Sequence, residues 1–89
     1  MILAKSLTGH DKDKIYLVIE ETENQVTLVN GTTKKLDSPK CKNKKHVQAI
    51  NKLPSEIERE REEIKNLTDE KVAHLIKSYK KWVSPKEDK

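Results

Sequence analysis

Lysine is concentrated in one short stretch of the chain, from residue 34 to residue 45. Six lysines occupy these twelve positions against a single acidic residue, Asp37, so the stretch has a formal charge of +5. The lysines are Lys34, Lys35, Lys40, Lys42, Lys44 and Lys45, and His46 follows them directly. An ammonium group is a compact charge that suits phosphate, so the pattern indicates binding to a polyanion, with nucleic acid as the first partner to consider.

The rest of the chain does not share this charge. Residues 1–53 hold ten lysines and six acidic residues, whereas residues 54–89 hold nine basic and nine acidic residues, so the net charge of +4 belongs to the first part. Lys12 and Lys14 form a second, weaker basic patch there. A lysine-rich segment is also common as plain solvated surface, and that alternative stays open, but the local concentration of charge favours a binding role.

The residue types favour RNA over a DNA sequence. The arginines are Arg59 and Arg61, both outside the basic stretch, so bidentate reading of guanine edges is not available there. Contacts to a nucleic acid should therefore be mainly to its backbone, which favours a shaped RNA. Tyr16 lies within an apolar run and is expected in the core, so a stacking platform of aromatic rings is not predicted.

Other chemistry finds little support in the sequence. Cys41 and His46 are five residues apart, but no third group is placed to orient them, so no enzyme activity is predicted. His10 and His74 have no spacing typical of metal ligands, and neither a metal nor another cofactor is expected. A lone cysteine, the lack of a signal peptide pattern and the lack of a long apolar run predict a cytoplasmic protein without a membrane span.

The sequence pattern of the first part of the chain predicts five short strands. They are predicted at residues 2–6, 14–21, 25–30, 32–36 and 46–50, from alternating or β-branched apolar residues. Asn30-Gly31 predicts a type I′ hairpin turn, and residues 37–45 predict a lysine-rich loop. Strands this short and this few favour a small SH3-like barrel over a two-layer sandwich.

After Pro54 the pattern becomes helical. Ser55 and Glu58 predict a capping box at the start of a mostly solvated helix, and Thr68 predicts the start of a second helix. One face of the second helix is apolar; it comprises Val72, Leu75, Ile76, Tyr79, Trp82 and Val83. This face either packs on the barrel or binds a partner. The predicted organisation is an α+β, mainly β fold, with a barrel at 1–53, a helical hairpin at 54–84 and a disordered tail at 85–89.

Three stretches resemble the KOW motif family. "AKSLTGHDKDKIYLVIEE" is similar to the family's first strand, its S-x-x-G-R-D-K-G loop and the apolar strand that follows. "VNGTTKKLDSPKCKNKKHVQ" is similar to the family's run DGxxRxLxxPKxKNxKH, with the Asn-Gly pair, Pro39, the lysine spacing and His46 all in step. "DEKVAHLIKSYKKW" resembles the family's C-terminal helix. The chain thus resembles, over nearly its whole length, short RNA-binding KOW proteins related to ribosomal proteins of the L14e, L6e and L27e group.

The chain departs from the family pattern at two positions. His10 stands where the family has arginine, and Asp13 stands where it has its hallmark glycine. The resemblance implies an SH3-like barrel that binds RNA and associates with ribosomes, as a monomer that also contacts ribosomal proteins. The alternative is a protein-interaction module, including an adaptor in transcription or translation, that uses the apolar helix face.

Overall fold

The chain folds into a five-stranded antiparallel sheet followed by two helices, and the α+β class predicted from the sequence is confirmed. The computed structural model describes residues 1–10 and 12–83; residue 84 and the predicted tail at 85–89 lie outside the described residues. The strands are β1 (Leu3–Ser6), β2 (Ile15–Glu21), β3 (Gln25–Val29), β4 (Lys40–Asn43) and β5 (Val47–Ile50). A 3₁₀ turn (Lys44–His46) joins β4 to β5, and the helices are α1 (Ser55–Glu63) and α2 (Asp69–Val83).

The sheet separates two apolar cores because successive side chains of a strand point to opposite faces. On one face lies the inner core, formed by Ala4, Tyr16, Val18, Val26, Leu28 and Val47. On the other face lies the helix-side core, formed by Leu3, Leu17, Val29, Ile57, Val72, Leu75 and Ile76. The predicted alternation of β3 is confirmed, since Val26 and Leu28 join the inner core and Val29 joins the helix-side core.

The sheet is strongly curled. Its strand order is β4-β3-β2-β1-β5, so β4 and β5 are its two edges. Four spacings of about 4.8 Å would hold these edges roughly 19 Å apart in a flat sheet. Yet only the three residues of the 3₁₀ turn join them, and even an extended link of that length spans about 15 Å. A break in the β2–β3 register between Val18 and Glu20 adds local bending.

The fourth strand lies where the sequence predicted a loop. Residues 32–36 form bends and turns, so the strand predicted there is wrong, and β4 lies within the lysine stretch instead. β4 pairs with β3, with Val26 opposite Lys42 and Leu28 opposite Lys40. Its polar sequence is compatible with a strand because it lies at the edge of the sheet, where charged side chains reach solvent and discourage pairing with another chain.

The side chain of Asn30 explains why residues 30–34 do not extend into a strand. Its Oδ1 accepts hydrogen bonds from the backbone N–H groups of Thr32, at 3.0 Å, and Lys34, at 2.8 Å. Local capture of the backbone by an asparagine competes with strand pairing. A type I′ turn was also predicted wrongly, because it needs a positive φ at both central residues and Asn30 does not have one.

Gly31 lets this loop touch the start of α2. It has φ +80°, and a β-carbon there would lie 2.3 Å from the carbonyl oxygen of Asp69 and 2.9 Å from the amide nitrogen of Ala73. A few residues later, the N–H of Leu36 donates to Oδ1 of Asp69 at 2.8 Å. The segment from Asn30 to Leu36, named here the β3–β4 loop, is therefore fixed to α2 at two points.

The two helices begin differently. At α2 the predicted cap is confirmed, because Oγ1 of Thr68 accepts from the N–H of Lys71 at 3.2 Å. At α1 the predicted capping box is wrong, because Ser55 is already helical and Pro54 holds the cap position without a side-chain bond. The extended backbone of Pro54 offers its carbonyl oxygen directly to the N–H of Ile57 at 3.0 Å.

The apolar face of α2 is only partly buried. Val72, Leu75 and Ile76 are buried in the helix-side core, as the packing alternative predicted. Tyr79 is half-buried beside them, whereas the side chains of Trp82 and Val83 are 47% and 40% exposed. The apolar side chains in the last turn of α2 thus remain accessible to solvent.

Asp13 adopts the left-handed backbone conformation, with φ 73°. Its N–H donates to the carbonyl oxygen of Ser6 at 2.7 Å, which fixes the turn that leads into β2. A residue with a β-carbon occupies this region at an energetic cost that glycine avoids.

Substitutions at these two left-handed positions should have opposite effects on stability. Gly31→Ala should lower the free energy of unfolding by roughly 2 kcal/mol or more, because the new methyl group meets backbone atoms of α2. Asp13→Gly should raise the free energy of unfolding by up to about 1 kcal/mol, because the left-handed turn no longer strains a β-carbon. Urea unfolding followed by circular dichroism measures both.

Ser38→Ala, on the exposed surface, is the matched control and should change stability by less than about 0.5 kcal/mol. An Asp13→Gly protein less stable than the parent, or a Gly31→Ala protein as stable as the control, would contradict this account of the turns.

Candidate functional site

The lysines of β4 face the inner side of the curled sheet. Lys40 and Lys42 lie opposite Leu28 and Val26, and residues directly opposite each other on paired strands share a face. Both lysines are half-buried. The sequence predicts a loop around Lys40 and Lys42, and this prediction is wrong: both lie in a strand, on the face that carries the inner core.

Lys42 is bound by the opposite side of the sheet. Its Nζ donates hydrogen bonds to Oγ of Ser6, a fully buried residue of β1, and to the carbonyl oxygen of Thr8 at 3.1 Å. The side chain therefore spans from one edge strand across the inner face to β1. The position of its ammonium group is fixed, because one acceptor is a backbone carbonyl oxygen and the other is a buried hydroxyl group.

Four lysines from three parts of the chain line one cleft. This basic cleft has a volume of about 480 Å³ and receives Lys14 from the start of β2, Lys34 from the β3–β4 loop, and Lys40 and Lys42 from β4. His10 and Tyr16 line it as well. Of the described residues that line it, none is acidic. Converging ammonium groups create a positive potential that favours an anionic ligand.

The other predicted residues lie elsewhere. Lys12, Lys35, Lys45 and His46 are exposed and do not line the basic cleft. Lys45 lines a separate polar hollow together with Glu23 of the β2–β3 turn. The nine residues predicted as a main lysine stretch and a second, weaker patch thus divide differently, into a group of four that converge and a group of five that do not.

Lys44 is neutralised by a carboxylate. Its Nζ lies 2.8 Å from Oε2 of Glu21, whose other oxygen lies 3.2 Å from the N-terminal ammonium of Met1. The hydrogen bond from Lys44 and then the N-terminal ammonium lower the pKa of Glu21 from its ordinary value. Lys44 therefore contributes to the attachment of the 3₁₀ turn to β2. Its charge is paired with a carboxylate, whereas the sequence predicts it as a phosphate contact.

Two lysines of α2 extend the basic surface and were missed from the sequence. Lys77 and Lys80 line a groove of about 410 Å³ between α2 and the β3–β4 loop, named here the helix groove, which also includes Lys14. Lys77 and Lys80 are three residues apart, and Lys77 lies four residues after Ala73, so the sequence indicates that the three share one face of the helix. It does not indicate which part of the sheet that face meets.

The remaining sequence candidates are the cysteine and the potential metal ligands. Cys41 is exposed, and its Sγ lies 3.7 Å from Oγ1 of Thr27, on the face opposite to the basic cleft. Within residues 1–10 and 12–83, no three histidine, cysteine or acidic side chains are grouped as metal ligands would be. In the same described residues, neither helix has the length and apolarity needed to cross a bilayer.

No protein-family model matches this chain, and no curated protein is significantly similar to it. The resemblance to the KOW family therefore stays a prediction that the residues of this sequence carry.

We expect the Glu21 carboxyl group to titrate below the ordinary glutamate value, and the Lys44→Met substitution to raise its pKa toward that value. Carbon-13 NMR of the side-chain carboxyl measures both. Because the folded-state pKa is lowered, the ion pairs stabilise the fold at pH values above the ordinary pKa, and this contribution disappears as the pH falls through the lowered value.

Added salt should also bring the pKa of Glu21 nearer to its ordinary value, because the pairs are exposed to solvent. A pKa that did not change in the Lys44→Met protein would show that this lysine does not pair with Glu21 in solution.

Proposed function

We propose that the protein is a non-catalytic RNA-binding protein that holds RNA phosphates in the basic cleft. The observation that carries the proposal is the convergence of Lys14, Lys34, Lys40 and Lys42 in one cleft. Lysine donates to phosphate as a point charge, so the contacts are to the RNA backbone and their strength falls with salt concentration.

The shape of the site favours a structured RNA over a regular duplex of DNA. The cleft is a local hollow on the inner side of a curled sheet, not an exposed helix or ribbon that could enter a major groove. The arginines lie on α1, away from the residues that line the cleft. Recognition by backbone shape is the usual mode for folded RNA.

The curled sheet also supports the family resemblance. We infer an SH3-like barrel of the KOW type, supported by the five antiparallel strands and the three-residue link between the two edge strands. Asp13 adds independent support, because its φ of 73° is the conformation that the family's glycine would provide at that position. The substitution of Asp for Gly thus keeps the turn at an energetic cost.

A second candidate function is binding to another protein. The exposed side chains of Trp82 and Val83 favour it, since large apolar groups at the surface are typical of contact sites. The buried part of the same helix face argues against a large interface, because Val72, Leu75 and Ile76 are already packed on the sheet. Such a contact would be small and would add to RNA binding within a ribonucleoprotein particle.

Removing the cleft lysines should weaken RNA binding far more than removing lysines outside the cleft. The first variant carries Lys14→Gln, Lys34→Gln and Lys40→Gln, and the second carries Lys12→Gln, Lys35→Gln and Lys45→Gln. Both lose three charges. Fluorescence anisotropy with a labelled RNA hairpin, between about 50 and 200 mM salt, gives the affinity and its salt dependence.

A plot of the logarithm of the association constant against the logarithm of the salt concentration has a negative slope. Its magnitude should decrease by roughly 2 to 3 in the cleft variant and by less than about 1 in the second variant, because each lost phosphate contact removes about one released ion. Equal losses in the two variants would mean that RNA senses total charge and not the cleft. Lys42 is left unchanged in both, because it also bonds to Ser6 and Thr8.

We further propose that the RNA is ribosomal. On this proposal, the protein in a cell lysate should sediment with ribosomal particles through a sucrose gradient at low salt and should move to the top of the gradient at high salt. The cleft variant should stay at the top at both salt concentrations. Sedimentation of the parent protein at the top under both conditions would exclude ribosome association and leave another RNA as the ligand.

A further inference from the structure

A third hollow lies between β5 and the last turns of α2. This β5–α2 cleft has a volume of about 620 Å³ and differs in chemistry from the basic cleft. Its apolar walls include Ile15, Ile50 and the ring of Tyr79, and the amide side chains of Gln48 and Asn51 also line it. The lining is completed by Ala49 and Val83 and by three lysines, Lys5, Lys52 and Lys80.

The pairing of the strands explains this mixture. Lys5 lies opposite both Ile15 and Gln48, and Leu3 lies opposite Ile50, so all these side chains share the face of the sheet that carries the helix-side core. α2 covers the Leu3 side of that face, since Val72, Leu75 and Ile76 pack there, whereas Tyr79 near the helix end is only half-buried. Part of an apolar sheet surface is therefore left accessible beside polar side chains.

The three hollows form one continuous track. The helix groove shares Lys14 and Thr33 with the basic cleft, and it shares Ile15 and Lys80 with the β5–α2 cleft. The lysines along the track are Lys5, Lys14, Lys34, Lys40, Lys42, Lys52, Lys77 and Lys80. Fifteen acidic residues occur in the chain, yet none of the described residues that line the track is acidic.

We propose that the β5–α2 cleft receives an unpaired nucleobase of the RNA strand whose phosphates follow this track. This inference rests on the proposed function. Phosphate contacts account for the lysines of the track, and a base accounts for the apolar and amide side chains of the β5–α2 cleft. Apolar walls and an aromatic ring match the faces of a base, and the two amides offer both donors and acceptors to its edge. A polyanion without bases has no apolar faces to pack against these side chains.

The ligand is accordingly an RNA with a single-stranded or bulged segment. In a regular duplex the base edges are paired and the faces are stacked, so no base is free to enter the cleft. The lysines on both sides of the cleft bind the flanking phosphates, since Lys80 lines both this cleft and the helix groove.

The chain contains its own reporter for this site. Trp82 is the single tryptophan, and the centroid of its ring lies 6.1 Å from that of Tyr79, which lines the cleft. Its side chain is 47% exposed, so its emission responds to a base that stacks or packs nearby. Trp82 does not line the basic cleft, and we expect phosphate binding confined to that cleft to leave its emission unchanged.

The test compares three ligands by Trp82 fluorescence and by affinity: a single-stranded RNA, an RNA of the same length with abasic sites, and inorganic polyphosphate of similar charge. We expect only the RNA with bases to change the emission, and we expect it to bind roughly tenfold more tightly than the abasic RNA. Equal affinity and equal emission with abasic RNA would overturn the inference while leaving the proposed function intact. Failure of all three ligands to bind would overturn both.

A pair of matched variants locates the base. The double substitution Gln48→Ala and Asn51→Ala removes two exposed amides of the β5–α2 cleft, and the control, Asn24→Ala and Gln25→Ala, removes two exposed amides of the β2–β3 turn. The first variant should lose roughly fivefold to tenfold in affinity for the single-stranded RNA and none for polyphosphate. An unchanged affinity for the RNA, or equal losses in both variants, would show that the base does not lie in this cleft.

Discussion

The contact between Gly31 and the first turn of α2 determines where the basic side chains lie. The backbone approaches so closely that a β-carbon would meet the carbonyl oxygen of Asp69, and the carboxylate of the same residue holds the N–H of Leu36. Lys34 lies between these two attachments, so its position depends on both. The same attachments keep α2 beside the start of β2, which brings Lys77 and Lys14 to one groove. A single junction thus sets the geometry of the basic surface on both sides of the sheet.

The basic cleft also shows how a fold can retain charges that disfavour one another. Lysines that are half-buried lose part of their hydration, and charges of one sign within a cleft repel. Lys42 recovers part of this loss through hydrogen bonds to Ser6 and Thr8, and the edge position of β4 leaves its lysines partly hydrated. The ammonium groups that meet in the cleft nevertheless repel one another. On the proposed function, an anionic ligand relieves this repulsion, and the relief adds to the attraction that each phosphate contact provides.

Local patterns predicted the parts of the fold in which backbone preference and burial agree. The β2–β3 hairpin follows from apolar alternation, and α2 follows from its periodic apolar face and the cap at Thr68. β4 could not be predicted in this way, because the sequence KCKN gains its strand conformation from pairing with β3. Missing this strand also led to a wrong placement of two lysines of the basic cleft. In a loop the directions of Lys40 and Lys42 are undetermined, whereas in a strand two residues separated by one must share a face. The convergence of Lys14 with Lys34 depends on tertiary structure and has no local signal.

Charge counted along the sequence is a poor guide to charge seen by a ligand. The second part of the chain is formally neutral, yet its lysines at 77 and 80 line the track, whereas none of the acidic residues of α1 does so. Because salt screens charges beyond about 8–10 Å, a polyanion in the track responds mainly to the charges close to it. A molecule with a net charge of only +4 can therefore bind a polyanion at one face without attracting polyanions over its whole surface. Since general attraction is weak, the proposed function requires selectivity from shape and from the apolar end of the track, where a base and a bare phosphate chain differ most.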